Sequence, residues 1–215
     1  MLDRLLEKGL SSSFDMPSVY ITGPKGIEAT SNERIIQPGD LLMIDWGVGY
    51  LNFHTDLKRI AYVLKAGETS LPEGFQNAFD RARTARDIIR KNIRPGPTAA
   101  ETFELLNNQL REAGFSVMDT FNQPSDGDET DVITGNHSVG NLGHGIGPSI
   151  AWFNPVRMTY NLHPGNLLSI ELFAYTRVPE WSGAKVRIPL EDNAVVTTRG
   201  VEWLYPINEK ILLIK

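Results

Sequence analysis

The chain has 215 residues, of which 41% are hydrophobic and 22% charged, and it contains no cysteine. Its net charge of −5 argues against a nucleic-acid surface, where basic residues are expected to cluster, and no stretch is apolar for long enough to span a bilayer. Without cysteine, disulfides and thiolate ligands are excluded, so any metal must be held by Asp, Glu and His. We expect a soluble protein, and its length favours one large domain, residues 1–215, over two small ones.

The N-terminal segment is predicted to be a short amphipathic helix over residues 1–9 that ends near Gly9. Residues 4–14 resemble residues 108–118, because each run reads as a helix end, a glycine and a serine-containing turn into a strand. This similarity indicates an internal repeat. The second copy is preceded by a further predicted helix and the first is not, so we expect the chain to be the C-terminal part of a longer protein.

Residues 40–63 are predicted to form a β-hairpin. If its turn is centred on Tyr50 and Leu51, Asp45 and Asp56 become direct cross-strand neighbours, with Cβ atoms about 5 Å apart. Two carboxylates on one face of a largely apolar strand need a shared proton or a bound cation. The alternative is that both are ordinary solvated surface residues.

The remaining elements include a helix over residues 73–93 and a second helix that opens at Thr98 with Glu101 in a capping-box pattern. Residues 119–135 are polar and are predicted to form an exposed loop at the mouth of a site. A glycine-rich loop with two histidines follows. Other predicted elements are a strand at 18–22, a loop at 23–39, and strands at 166–176, 184–197 and 211–214.

Glu171 and Glu191 lie within two of the apolar C-terminal strands. Taken singly, each is more often a structural or surface residue, but acidic residues inside such strands are unusual unless they are paired or bind a metal. Together with Asp45, Asp56 and His144 they form one candidate site. Its four carboxylates would be balanced in charge by two divalent ions, which can clamp a bridging water and make it a nucleophile at neutral pH.

The segments that carry these residues resemble the pita-bread metallopeptidases, a superfamily that includes methionine aminopeptidase, aminopeptidase P, prolidase and creatinase. The resemblance covers nearly the whole chain and is nearest to an aminopeptidase P-like branch. It implies an α+β pita-bread fold, with a curved antiparallel sheet, helix pairs outside and a pseudo-two-fold internal repeat. The matching segments are residues 38–47, 55–59, 143–147, 164–171 and 190–196.

The resemblance also implies a role for each residue of the site. Asp45 would ligate one metal, and Asp56 and Glu191 would bridge both. His144 and Glu171 would complete the shell of the second metal, and Glu171 would serve as the general acid and base. The cofactors would be two divalent ions, with Mn expected first and Co, Zn or Fe as alternatives.

Two departures from the family pattern argue against ordinary peptidase activity. A substrate-side His-Glu pair is expected seven and eight residues after the metal histidine, where this chain has Ala151 and Trp152. A further histidine expected before the first Asp is absent from residues 26–32. His137, seven residues before His144, is a candidate replacement that contacts substrate or stabilises the oxyanion, although a loop histidine bonded to backbone is an equal alternative.

The function expected from these features is removal of an N-terminal residue from short peptides, with specificity for Xaa-Pro peptides suggested by the resemblance. The alternatives are a non-peptidase hydrolase and a binding module that has lost its chemistry. The expected partner is a small peptide, and a homodimer is compatible with the family. A cytoplasmic location is favoured, while export stays open because the N-terminus looks truncated.

Overall fold

The computed structural model describes residues 2–14, 18–29, 31, 33–121, 123–141 and 144–215. Its α-helices are α1 (Leu2–Leu6), α2 (Glu73–Asn92), α3 (Ala99–Glu112) and α4 (Pro155–Met158). Its strands are β1 (Ser11–Ser12), β2 (Ser18–Gly23), β3 (Gly26–Ala29), β4 (Leu41–Trp46), β5 (Val48–Tyr50), β6 (Phe53–His54), β7 (Leu57–Val63), β8 (Ser116–Val117), β9 (Asp131–Thr134), β10 (Asn136–Ser138), β11 (Ser149–Ile150), β12 (Leu167–Arg177), β13 (Lys185–Thr197), β14 (Gly200–Trp203) and β15 (Leu212–Ile214).

Across the described residues, twelve of these strands join in one sheet, whose main path runs β11, β10, β12, β13, β7, β4, β2, β3. Off this path, β14 pairs with β13, β15 with β7, β9 with β12 and β8 with β9. The pairs β15–β7 and β8–β9 are parallel, and the pairs along the main path are antiparallel. The strands β1, β5 and β6 form a separate small sheet. This mixture of helices and a mainly antiparallel sheet agrees with the α+β prediction.

The core lies between the sheet and the two long helices. Along α2 the buried apolar residues recur at helical spacing, from Phe75 and Phe79 to Ile89, and this face packs on β12 and β13. Because side chains alternate along a strand, Leu168, Ile170, Leu172 and Ala174 of β12 fill this core. The odd-numbered residues of β12 point to the opposite face. None of the helices in the described part of the chain has the length and apolar content for a membrane crossing.

The hairpin prediction has the correct strands and the wrong register. Its turn is centred on Leu51 and Asn52, which have φ angles of 47° and 65°, instead of on Tyr50 and Leu51. This moves the pairing by two residues, so that the residue directly opposite Asp45 is Lys58 and not Asp56. A shift of two residues keeps every side chain on its predicted face, since the side-chain period of a strand is two.

Two loop predictions are also wrong in part. Residues 131–134 of the predicted exposed excursion form the buried strand β9, because they pair with β12 at the edge of the core. The predicted loop 23–39 contains β3, which pairs with β2. Both strands are short and carry little local signal.

The helix predictions and the capping box are confirmed. The Thr98 side chain accepts a hydrogen bond from the Glu101 backbone N–H, and the Glu101 carboxylate accepts one from the Thr98 backbone N–H. The two similar runs also correspond in structure. Gly9 and Gly114 both end a helix with positive φ, 68° and 79°, and a short strand begins two residues later in each case.

Candidate metal centre

A single row of directly paired residues crosses four neighbouring strands of the sheet. Glu171 of β12 pairs with Glu191 of β13, Glu191 pairs with Lys58 of β7, and Lys58 pairs with Asp45 of β4. Residues that pair directly across strands lie on the same face. The sheet therefore presents three carboxylates and one ammonium side by side, on the face away from the helices.

The Lys58 side chain lies among the carboxylates of this row. Its Nζ is 2.7 Å from Glu171 Oε1 and 3.1 Å from Asp45 Oδ2, and it also donates a short hydrogen bond to Glu191 Oε2. The lysine side chain is only 5% exposed, so these ion pairs are shielded from water. A buried charge of this kind is tolerated only because its partners surround it.

Asp56 and the two histidines lie beside the row. His137 of β10 is 1% exposed, and its Nε2 is 3.7 Å from Asp56 Oδ2, 3.5 Å from Glu171 Oε2 and 3.4 Å from Glu191 Oε1. His144 is exposed, and its ring centroid is 4.5 Å from that of His137. Single ligand atoms of Asp56, His137 and His144 lie within 4.8 Å of one another.

Polar side chains behind the cluster hold it in place. Ser169 Oγ donates to Glu191 Oε1 at 2.6 Å. The Asn193 amide accepts from the Asp56 backbone N–H at 3.1 Å and donates to the Asp56 carbonyl at 2.7 Å. Asn136 Oδ1 accepts from the Glu171 backbone N–H at 3.1 Å. These bonds fix the carboxylate-bearing backbone, which favours a preorganised site.

The pKa shifts in the cluster follow from burial and from the close charges. Burial raises the pKa of Asp56 to about 8, and the Glu191 charge adds to the effect. Burial alone would raise the pKa of Glu191, but Lys58 and His137 lower it to about 2. Burial opposes a proton on His137, yet the carboxylates of Glu171 and Glu191 raise its pKa to about 10. Without a bound cation the carboxylates therefore favour a proton on His137, and a metal ion at Nε2 would have to replace that proton.

A cavity of about 320 Å³ opens from the cluster. Beside the charged residues its lining is mostly aromatic, with Phe14, Phe121, Phe153 and Phe173, and includes Arg187. The Arg187 guanidinium lies 3.8 Å from the centroid of the Phe173 ring, a cation–π contact. A cavity of this size, with an apolar wall and a few convergent charges, is typical of small-ligand sites.

The structure brings together the five residues predicted as ligands, and it changes the setting of three of them. Asp45, Glu171 and Glu191 contact Lys58, for which the sequence predicts no role. The local pattern indicates only the strand face of Lys58, which follows Asp56 by two residues, and not the three carboxylates that it meets there. His137 was predicted in a loop and instead lies in β10, with Nε2 directed at the carboxylates.

The two ions implied by the resemblance can be tested against the donor atoms present. Asp56 Oδ1 and His137 Nε2 are buried and have no hydrogen-bond partner, which suits them to a cation. His137 Nδ1 lies 3.2 Å from the Ser138 carbonyl, as in histidines that bind a metal through Nε2. The Asp45, Glu171 and Glu191 group already has the Lys58 ammonium as its cation. The residues thus fit one divalent ion directly. Asp45 Oδ1 is also buried without a hydrogen-bond partner, so a second ion there would compete with Lys58 for Asp45 and Glu191.

Comparison with known proteins gives a consistent picture. The model of metallopeptidase family M24 matches residues 2–198. The chain is 26% identical over 201 residues to the uncharacterized peptidase YqhT of Bacillus subtilis, covering 88% of this chain and 46% of that protein. It thus spans about half the length of such relatives.

Solved structures share the fold at low identity. The X-Pro aminopeptidase from Thermotoga maritima superposes with a TM-score of 0.63 at 20% identity, covering 95% of this chain and 50% of that one. The Xaa-Pro dipeptidase from Bacillus anthracis gives a TM-score of 0.65 at 20% identity, with the same coverage. The pita-bread fold is confirmed by these matches. Because the family model covers nearly the whole sequence, this chain belongs to metallopeptidase family M24.

Proposed function

We propose that this protein is a divalent-metal-dependent peptide hydrolase that removes the N-terminal residue from short peptides, with a preference for proline in the second position. The observation that carries the proposal is the cluster of four carboxylates and two histidines, of which all but the buried Glu191 line a cavity of about 320 Å³. The proposed Xaa-Pro preference is supported by the proteins that share the fold, which include an X-Pro aminopeptidase and an Xaa-Pro dipeptidase. A small peptide is the substrate class that fits a cavity of this size.

Glu171 is the residue we assign as general acid and base. Its carboxylate lines the cavity and is 13% exposed, so it can reach substrate. Oε1 accepts from Lys58 at 2.7 Å, and Oε2, which lies 3.5 Å from His137 Nε2, is the oxygen that we assign to proton exchange. A bound divalent ion, with Mn favoured over Co, Zn or Fe, would lower the pKa of a water and polarise the scissile carbonyl.

The aromatic wall is the surface that we assign to the substrate side chain. Phe121 packs against Trp152 at 6.0 Å and against Phe173 at 5.9 Å between ring centroids. Trp152 stands where the family resemblance leads us to expect a glutamate, and its neighbour Ala151 is fully buried. An apolar wall replaces polar substrate contacts here, which favours an apolar residue such as proline in the cavity.

A second candidate is a peptide-binding domain without hydrolysis. The observation that favours it is the Lys58 ammonium, which occupies the centre of the carboxylate row. Asp56 Oδ1 and His137 Nε2 are buried and have no hydrogen-bond partner, so they can serve as metal ligands, and this favours the hydrolase. The homodimer stays a prediction that native mass spectrometry tests directly. The description of residues 1–215 as one catalytic domain also stays a prediction.

The experiment is hydrolysis of two peptide panels, Xaa-Pro and Met-Xaa, with Mn, Co or Zn added, followed by mass spectrometry of the products. N-acetylated copies of the same peptides test the need for a free N-terminus. Asp56→Asn removes a carboxylate of the cluster, and His163→Ala is the matched control because His163 lies in an exposed turn.

We expect cleavage of free-N-terminal Xaa-Pro peptides that is lost in Asp56→Asn and kept in His163→Ala. Binding of divalent metal with no cleavage in either panel would reject the hydrolase and favour the binding domain. Cleavage of the acetylated peptides would reject the requirement for an N-terminal residue.

A further inference from the structure

The position of Lys58 is fixed by the sheet and not only by its side chain. It stands between Asp45 and Glu191 in the row of directly paired residues, so its Cα belongs to the centre of the carboxylate face. Its Nζ then meets three carboxylates at once. Since an ammonium with three carboxylate neighbours has the surroundings of a coordinated cation, it competes with a metal for the same oxygens.

Both carboxylate oxygens of Glu191 accept hydrogen bonds from the protein. One of its oxygens accepts from Lys58, and the other accepts from Ser169 Oγ at 2.6 Å. The side chain is completely buried, so it has no freedom to turn toward a new partner. A Glu191 carboxylate that bridged two metals through both oxygens could keep the bond from Ser169 but would have to give up its contact with the Lys58 ammonium.

The side of the cluster formed by Asp56 and the two histidines offers ligand atoms for a metal. Asp56 Oδ1 and His137 Nε2 have no hydrogen-bond partner, and His144 completes a group with ligand atoms within 4.8 Å of one another. Two histidines and one carboxylate form the three-ligand set of many catalytic zinc and non-haem iron sites, in which the remaining positions stay open to water or substrate.

We propose that the centre binds one divalent cation, through Asp56, His137 and His144, and that the Lys58 ammonium takes the place of the second cation. The inference refines the proposed function. It rests on one part of that proposal, namely that the cluster binds a divalent metal. It replaces the expectation of two ions. It also moves His137 from the substrate side to the metal shell.

Charge supports this arrangement. When a cation is bound and all four carboxylates of the cluster are ionised, they carry four negative charges. One divalent ion and one ammonium supply three positive charges, so most of the negative charge is balanced without a second metal. Charge balance alone therefore does not require two metal ions, because the Lys58 ammonium contributes one of the positive charges.

The test is the number of metal ions bound, measured by elemental analysis of the full chain after dialysis and by calorimetric titration with Mn²⁺ and Zn²⁺. For the unsubstituted chain we expect about one ion per chain. In His144→Ala the affinity should fall more than about tenfold, because one of three ligands is lost. In Asp45→Asn the single ion should remain, because Asp45 is outside the ligand set.

Lys58→Ala, which removes the charge and opens its space, should raise the count to about two ions per chain. Lys58→Met keeps the side-chain length without the charge and serves if Lys58→Ala does not fold. Lys91→Ala is the control for loss of one lysine, since Lys91 is exposed on α2, and it should still bind one ion.

Three results would overturn the inference: two ions in the unsubstituted chain, no ion at all, or one ion that is lost in Asp45→Asn and kept in His144→Ala. A count that stays at one in both Lys58 variants would remove the role given to Lys58. These results are independent of hydrolysis. One bound ion without peptide cleavage rejects the proposed function alone, and two bound ions with cleavage reject the inference alone.

Discussion

Glu171 and Glu191 lie directly opposite each other on β12 and β13, and the Lys58 ammonium contacts both carboxylates. Two like charges in direct cross-strand contact repel each other. The arrangement persists because Lys58 enters from the next strand, β7, and donates to one oxygen of each. The lysine therefore stabilises the site that it partly fills.

The first prediction follows from this dependence. In the presence of a chelator, Lys58→Ala should lower the free energy of unfolding by about 3–5 kcal/mol, the usual cost of removing one partner from a buried ion pair. Urea denaturation measures the change, and Lys91→Ala is the surface control. Added Mn²⁺ should restore stability more in Lys58→Ala than in the unsubstituted chain. A loss below about 1 kcal/mol, as for an exposed pair, would contradict the buried role of Lys58.

The second prediction concerns Glu171. Glu171→Gln keeps the size of the side chain and removes its proton exchange, so turnover of an Xaa-Pro peptide should fall by about 10²–10⁴. The bound metal should be unchanged, since the proposed ion is held by Asp56 and the two histidines. Glu104→Gln, at an exposed position of α3, is the matched control. Loss of metal together with turnover would instead make Glu171 a ligand.

Much of the fold could be predicted from the sequence, because the long elements carry strong periodic signals. The helix α2 and the strands β12 and β13 were placed within about two residues. The sequence singles out the four carboxylates that the structure brings together, because acidic residues in or beside apolar strands are costly without a partner, whereas His144 lies in a glycine-rich loop with a weaker signal. The hairpin register failed because Leu51 and Asn52 carry no glycine signal for a turn with positive φ.

The role of Lys58 could not be obtained from local pattern alone. Its importance depends on the pairing of β7 with β13, which are more than a hundred residues apart in the chain. His137 was similarly hidden, since the glycines around it indicate a loop while the backbone is held between β11 and β12. Long-range pairing of short strands leaves little trace in a single sequence.

The third prediction is a pH dependence at the start of α3. The hydrogen bonds that Glu101 accepts from the Thr98 backbone N–H and side chain lower the pKa of its carboxyl group. A carboxyl whose folded pKa is lowered contributes stability above its unfolded pKa of about 4.3, and this contribution is lost as the pH falls through the folded pKa. Glu101→Gln should therefore be less stable than the parent chain at neutral pH and equally stable in acid. Thermal melts at a series of pH values measure this difference, and a constant difference would contradict it.

The last prediction tests the hairpin turn that sets the register of Asp45 and Lys58. Leu51 has a φ of 47° and is 76% exposed, so it adopts a left-handed conformation without gaining burial. Asparagine tolerates this conformation better than leucine, and a left-handed residue without such tolerance costs about 1–2 kcal/mol. Leu51→Asn should therefore raise the free energy of unfolding, by up to about 1 kcal/mol, in chemical denaturation. Leu6→Asn, at an exposed leucine of α1 with right-handed helical geometry, should give no such gain, and equal effects in the two variants would show that turn geometry is not the cause.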